Sequence, residues 1–354
     1  MKWNKRVIIS AVLFLAAAGF SAMKLQEAHY IQSQYTTVSA RINPGGIKES
    51  GVMNATAMEK GRGSEKIPEI TAWVQLNEAE IKNEVLDRTE KLRIILFAGD
   101  MKVTAPMSLI RGSYVCGEDK KGCVIDKASA FRLFGTEAAV GNTLFYQNRY
   151  YYIRGVIKTI APVLIIPGNS QTVYTNLEFY YQGRNKEQGE ALAGEFLLQN
   201  GFTQEYVILD SYFYGRMLHS ALILPVWIFF LLLCSLFMRY LWKRCRRLKP
   251  FYTILYCSIG LICSIGYGML LYQYSGNPVY IPEKLIPTKF SDFGFFSELG
   301  RRLKEQLQQY RYLMPNPRDV FLEQRITGLG YNLIIILMLY ISLMISCKSV
   351  QKKY

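Results

Sequence analysis

Two histidines, one cysteine pair and a run of carboxylates are the side chains of this 354-residue sequence that could do chemistry, and their spacing assembles none of them into a set. His29 and His219 each lack a partner set nearby, so neither a metal centre nor a catalytic triad is expected. Glu78, Glu80, Glu84 and Asp87 follow a strand-like stretch, most of them at helical spacing. They read as a solvated helix face rather than as an acid–base pair. Asp100, in Ala-Gly-Asp, reads as a turn residue. Of the seven cysteines, only Cys116 and Cys123 lie in the central part of the chain, bracketing the turn-like stretch 117–122. A disulfide between them suits a domain outside the cytoplasm. Two thiols with no further Cys or His make an incomplete metal set. No catalytic residue, cofactor site or metal site is assigned, and no enzyme activity is expected. The sequence has no Gly-x4-Gly-Lys-Ser/Thr phosphate loop, so it is not expected to bind ATP in that manner.

The elements around these residues are set by hydrophobic runs. Half of the residues are hydrophobic and only 19% are charged, below the roughly 25% usual in soluble domains. A helix needs about 17–25 apolar residues to cross a bilayer. Residues 7–23, 218–237, 251–272 and 328–346 meet that length with no central charge. Lys2, Lys5 and Arg6 precede the first run. Arg239, Lys243, Arg244, Arg246, Arg247 and Lys249 follow the second, and Lys348, Lys352 and Lys353 follow the last. These clusters carry most of the net charge of +15 and contain no Asp or Glu. Basic residues at the ends of apolar runs mark the cytoplasmic side, which accounts for the charge without nucleic acid.

The layout that follows is a membrane protein with four transmembrane α-helices and a mixed α+β extracytoplasmic domain. Its expected parts are helix 1 (1–24), the outer domain (25–217), helix 2 (218–238) and a basic cytoplasmic loop (239–250). Helix 3 (251–272), an outer segment (273–327), helix 4 (328–347) and a cytoplasmic tail (348–354) complete it. Segment 1 also fits a cleavable signal peptide, with Ala16, Ala17 and Ala18 as the small residues, although its apolar stretch continues to Met23. Gly260, Ser264 and Gly268 share one face of helix 3, where small residues permit close packing. Pro225 is expected to kink helix 2. Tyr212, Tyr214, Tyr272, Tyr274 and Tyr331 suit the membrane edges.

Within the outer domain, residues 43–66 read as a loop. Strands are expected at 69–76, 93–97, 171–180 and 206–209, with a hairpin of 143–146 and 150–157 around Gln147-Asn148-Arg149. Residues 127–134 read as a helix with Ala130, Phe131 and Phe134 on one side and Gly135 at its end. Residues 188–199 read as a second helix. Later, 295–314 carries Leu299, Leu303, Leu307, Tyr310 and Met314 on one helical face. That face could lie on the membrane surface or cover the outer domain's own core.

Residues 110–158 resemble the outer core domain of MacB/FtsX-like ABC transporter permeases. The resemblance is carried by Arg111-Gly-Ser-Tyr-Val, Gly122-Cys-Val-Ile-Asp-Lys-Ala-Ser-Ala-Phe-Arg-Leu-Phe-Gly135, Ala139-Val-Gly-Asn142 and Tyr150-Tyr-Tyr-Ile-Arg-Gly-Val156. The order of one helix, a large outer domain and three further helices is similar as well. The resemblance implies a permease-like subunit in the cell membrane, with a separate ABC ATPase and a second permease as partners besides the lipid bilayer. In that family an acidic, glycine-containing cytoplasmic segment couples to the ATPase, whereas 239–250 is short and basic. The second reading is a membrane-anchored sensor or scaffold that binds a protein or envelope component without ATP coupling.

Overall fold

The computed structural model describes residues 5–63, 66–116, 118–245, 249–282, 285–287, 294–311 and 315–351. Its helices are α1 (Lys5–Gln34), α2 (Glu49–Gly61), α3 (Lys127–Phe134), α4 (Gly189–Gln199), α5 (Ser211–Cys245), α6 (Pro250–Ser275), α7 (Phe295–Arg311) and α8 (Pro317–Gln351). Its strands are β1 (Val38–Ile42), β2 (Ile47–Lys48), β3 (Glu69–Asn83), β4 (Arg88–Ala98), β5 (Ser108–Gly112), β6 (Gly122–Asp126), β7 (Thr143–Tyr146), β8 (Arg149–Lys158), β9 (Val163–Pro167), β10 (Val173–Tyr174), β11 (Asn176–Tyr180) and β12 (Tyr206–Leu209). The chain divides into two compact units. One comprises residues 1–33, 215–281 and 324–354, the other 34–214 and 282–323.

The second unit is built on a 10-stranded sheet ordered β12-β1-β11-β3-β4-β9-β6-β8-β5, with β7 pairing β3 and β8. The long β3–β4 hairpin is its middle. Strand β9 runs parallel to β4, and β6 runs parallel to β8. Successive residues of a strand point to opposite faces, and here both faces are covered. Ile94 and Ile125 pack under α3 with Ala130 and Leu133, while their neighbours Ile95 and Val124 join Trp73, Phe97 and Ile165 on the other side. That explains why β6 and β9 read as unbroken apolar runs rather than alternating ones. A third cluster packs α2 and α4 on β1, β3 and β11 through Val52, Leu192, Phe196, Val38, Leu177 and Phe179.

Local chemistry fixes several element ends. Asp126 caps α3, its Oδ1 accepting from the backbone N–H of Ala128 and Ser129 at 3.0 Å each, while Oδ2 accepts from Val163 N at 3.0 Å. One carboxylate thus starts a helix and aligns β9. Gly135 ends α3 in the left-handed region. Gln147 and Asn148, at φ 46° and 60°, form the two-residue turn of the β7–β8 hairpin. Gly112 has φ +78°, and a Cβ there would lie 2.1 Å from the Arg154 carbonyl oxygen. Only glycine lets β5 close on β8 at that point.

Several expectations are corrected. Residues 43–66 hold β2 and α2, because Val52, Ala55 and Glu59 fall on one buried helical face that the small polar residues mask in the sequence. Ser64 and Glu65 lie outside the described residues. Glu78 and Glu80 sit on the extended strand β3, alternating with Ala79 and the buried Ile81, not on a helix. The buried face of α3 is Ser129, Ala130 and Leu133, and Phe131 is 59% exposed. The span 171–180 is two strands, β10 and β11. The basic stretch is largely helical, since α5 continues to Cys245 and α6 begins at Pro250.

Among the described residues, four helices are long and apolar enough to cross a membrane: α1, α5, α6 and α8. Ala17, Phe229, Ile336 and Tyr340 join α1, α5 and α8 in one cluster. The Tyr340 ring stacks on Phe229 at 4.6 Å, and its hydroxyl donates to the Pro225 carbonyl at 3.0 Å. Helix α6 meets α5 at Gly260, where an added Cβ would lie 2.4 Å from Leu241 Cδ1. One turn pair along, a Cβ at Gly268 would lie 3.3 Å from the Phe230 ring. The Ser264 hydroxyl between them turns back to the Gly260 carbonyl at 2.9 Å.

Replacing Gly112 with Ala combines a disfavoured positive φ with a clash against the Arg154 carbonyl. The substitution is expected to destabilise the β5–β8 pairing by about 3 kcal/mol. Hydrogen exchange on the full-length protein checks this: amides of 108–112 and 153–158 should lose protection while those of α4 keep theirs.

Candidate functional site

A cluster of buried charges in the second unit stands out from its apolar surroundings. Glu178 lies on β11 between Leu177 and Phe179, whose side chains enter the α2/α4 core. Strand alternation sends Glu178 to the opposite face, where it is 1% exposed. Its carboxylate is fully engaged. Oε2 accepts from Thr37 Oγ1 at 2.7 Å, and Oε1 accepts from Ser39 Oγ at 2.7 Å and Trp73 Nε1 at 3.1 Å. Arg318 Nη1 lies 3.4 Å from Oε2, and Arg41 Nη2 lies 3.9 Å from Oε1.

The two guanidiniums come from opposite parts of the chain. Arg41, on β1, shares its face with Thr37 and Ser39 by the same alternation. It donates to Asn176 Oδ1 at 2.7 Å and lies over the Trp73 ring at 5.1 Å. Arg318, in the first turn of α8, is 2% exposed. It donates to the carbonyls of Val103 and Gln34 and to Thr37 Oγ1, and Tyr35 Oη in turn donates to the Arg318 carbonyl at 2.8 Å. Asp319 completes the set, with Oδ1 3.3 Å from Arg41 Nη2. Two guanidiniums and two carboxylates leave the cluster formally neutral.

The start of α8 is built to present these residues. Asn316 Oδ1 accepts from Asp319 N at 3.0 Å, and Asp319 Oδ2 accepts from Asn316 N at 3.2 Å. This is a reciprocal capping box with Pro317 at the first helical position. Phe321, one turn on, stacks on Tyr35 at 6.3 Å. Burial alone would push the Glu178 carboxyl up, but Arg318 and Arg41, with the Ser39 and Thr37 hydroxyls, hold it below the usual carboxylate range. The Thr37 and Ser39 hydroxyls are both spent on the Glu178 carboxylate, and among the described residues no group of three or more His, Cys, Asp or Glu could hold a metal ion. What the arrangement can do is fasten the first turn of α8 to the β1–β11 end of the sheet.

The residues singled out from sequence fall elsewhere. Cys116 and Cys123 are free thiols, correcting the expected disulfide. Cys123 is fully buried beneath α3, whereas Cys116 is exposed, and burial pushes the Cys123 thiol up so that it stays protonated. The rings of His29 and His219 lie 6.2 Å apart in the first unit, with the Tyr274 ring 4.9 Å from His29. Arg239, Lys243 and Lys249 are exposed, while Arg246 and Arg247 lie outside the described residues, as does the side chain of Arg244. Leu299 and Leu303 of α7, with Arg302 and Gln306, line a cleft of about 660 Å³ against Leu192 and Glu190 of α4. Gln306 Nε2 of α7 also donates to Glu190 Oε1 of α4 at 3.3 Å; the side chains of Leu307 and Tyr310, and Met314, lie outside the described residues. Sequence reasoning missed Glu178, Arg41, Arg318 and Asp319. The Asn316-Pro-Arg-Asp319 cap was the available signal for the last two.

Exchanging Glu178 for Gln would leave two buried guanidiniums against one carboxylate and should destabilise the full-length protein by about 3–5 kcal/mol. The pH dependence has a definite sign. A carboxyl held below its unfolded value contributes stability that is complete above the ordinary glutamate value of 4.5 and is lost as pH falls below it. Thermal unfolding against pH should show this acid loss in the parent and a flatter profile in Glu178→Gln.

No family model and no curated protein matches the chain. Among solved structures, it is similar to the extracellular domain of the noncanonic ABC-type transporter YknZ from Gram-positive bacteria, at 14% identity and a TM-score of 0.38. That match covers 49% of this chain and 99% of the other. It is also similar to the periplasmic region of MacB from Actinobacillus actinomycetemcomitans, at 12% identity and a TM-score of 0.41, over 52% of this chain and 92% of that one.

Proposed function

We propose that the chain is a permease-like membrane subunit of an ABC-type transporter or mechanotransmission complex, working beside a separate ATPase. In this reading both termini are cytoplasmic and the sheet-bearing unit is extracytoplasmic. The basic clusters at the ends of the apolar segments support that orientation. The observation that carries the function is the double membership of α8. Its first turn is fastened to the sheet through Arg318 and Asp319, and from Gln324 it belongs to the unit of long apolar helices. A displacement of that helix would pull on β1 and β11 directly. Glu27, on α1, bonds Arg325 on α8 at 2.7 Å, so those two helices would move as a pair.

One observation favours the second reading, an anchored sensor or scaffold without ATP coupling. Helices α5 and α6 are joined by only the few residues between Cys245 and Pro250, and that connection carries no acidic residue for docking on an ATPase.

Purification in mild detergent from native membranes separates the two. The permease reading expects an ATPase to co-purify and ATP to change hydrogen exchange in 37–41 and 315–323. Recovery of an envelope protein with no ATPase would favour the scaffold instead. Protease added to wall-stripped cells should cleave within 34–214 and spare the basic 239–250 stretch; the reverse pattern overturns the orientation.

A further inference from the structure

A pocket of about 470 Å³ lies in the sheet-bearing unit between the β7–β8 turn, the end of β9 and the 168–172 loop. Its size suits a small organic ligand. Leu96, Ile166 and Pro167 contribute apolar surface, and Tyr146 and Tyr151 form part of the wall. Those tyrosines are only 5% and 8% exposed, so they offer little open ring face.

The charge is one-sided. Lys120 and Arg149 line the pocket, and no carboxylate does. Three other exposed cations of the same unit are paired with carboxylates: Arg154 with Asp119 at 2.7 Å, Arg132 with Glu90 at 2.7 Å, and Lys127 with Glu137 at 2.8 Å. Lys120 and Arg149 make no ion pair among the described residues. Arg149 bears instead on the Tyr151 hydroxyl. Two unneutralised cations beside a concave polar wall form the recognition pattern for an oxyanion, with the guanidinium able to bind it through two parallel hydrogen bonds. The remaining wall, including Gln147 and Ser170, offers amide and hydroxyl groups, which match a polyhydroxylated body. A nucleobase would need an aromatic face to stack on, and the buried tyrosines do not provide one.

We propose that this pocket binds an anionic saccharide, a sugar carrying a carboxylate or phosphate, with Lys120 and Arg149 holding the oxyanion. Calorimetric titration of the full-length protein in detergent tests it, using glucuronate, glucose 6-phosphate, glucose and inorganic phosphate as probes. At least one charged sugar should bind at least tenfold more tightly than glucose, and the two charged sugars distinguish a carboxylate from a phosphate source. Lys120→Gln and Arg149→Gln should each weaken that binding at least fivefold, while Arg132→Gln leaves it unchanged. Both target residues are exposed, so neither change disturbs the core. Charged sugars binding no better than glucose, inorganic phosphate binding as tightly as the charged sugars, or either pocket variant binding like the parent would each overturn the proposal.

Discussion

An ionised carboxylate taken out of water costs several kcal/mol unless it is matched by opposite charge and hydrogen bonds. Glu178 is in that position, 1% exposed on a strand at the β1–β11 end of the sheet. The hydroxyls of Thr37 and Ser39 and the indole of Trp73 satisfy its lone pairs, but hydroxyls bring no net charge. Arg41 on the neighbouring strand supplies one cation, and it is itself shared with Asp319. The second cation is Arg318, brought from far along the chain. The sheet is therefore electrostatically incomplete without the first turn of α8. That dependence ties residues 315–323 to the sheet-bearing unit, although the helix they open continues as an apolar segment.

The contrast with the rest of the sheet is informative. At the middle of the sheet the two faces are closed by apolar side chains, as Ile94 and Ile95 or Val124 and Ile125 illustrate. Apolar packing is non-directional and tolerates small slips. A cluster of four charges with defined donors tolerates few, because any displacement that separates a pair exposes a buried charge to an uncompensated environment. A fastening made this way holds one geometry or releases.

The sequence made the membrane segments legible, because charge clusters and unbroken apolar length need no tertiary context. It also revealed α3 and the β7–β8 hairpin, whose Asp126, Gly135 and Gln147-Asn148 are local signals. It did not reveal α2, where burial of Val52 and Ala55 overrides a polar, glycine-bearing composition. The strand extension through Glu78 and Glu80 was misread because exposed acids at i and i+2 and at helical spacing look alike until Ile81 and Asn83 are seen to be buried. The charge cluster was illegible for a different reason. Arg41, Glu178 and Arg318 are each ordinary in their own windows, and their meaning arises only when strand order places β1 beside β11 and the chain returns. The disulfide expectation failed on orientation: proximity in sequence says nothing about Cys123 pointing into the core.

The chemistry at position 318 also explains why the residue there is arginine. Its guanidinium serves the carbonyls of Val103 and Gln34, the Thr37 hydroxyl and the Glu178 carboxylate, and it lies over the Tyr35 ring at 5.4 Å. These partners surround a planar group with five N–H donors. A lysine ammonium has three donors around a point and is more strongly hydrated, so it would pair with Glu178 and abandon at least one buried carbonyl. An unpaired buried carbonyl costs about 1–3 kcal/mol. The planar fork thus ties three separate segments, around residues 34–37, 103 and 178, to one helical turn. Loss of the charge would loosen the sheet's polar face, and loss of the fork alone would loosen the same face while leaving its charge balance intact.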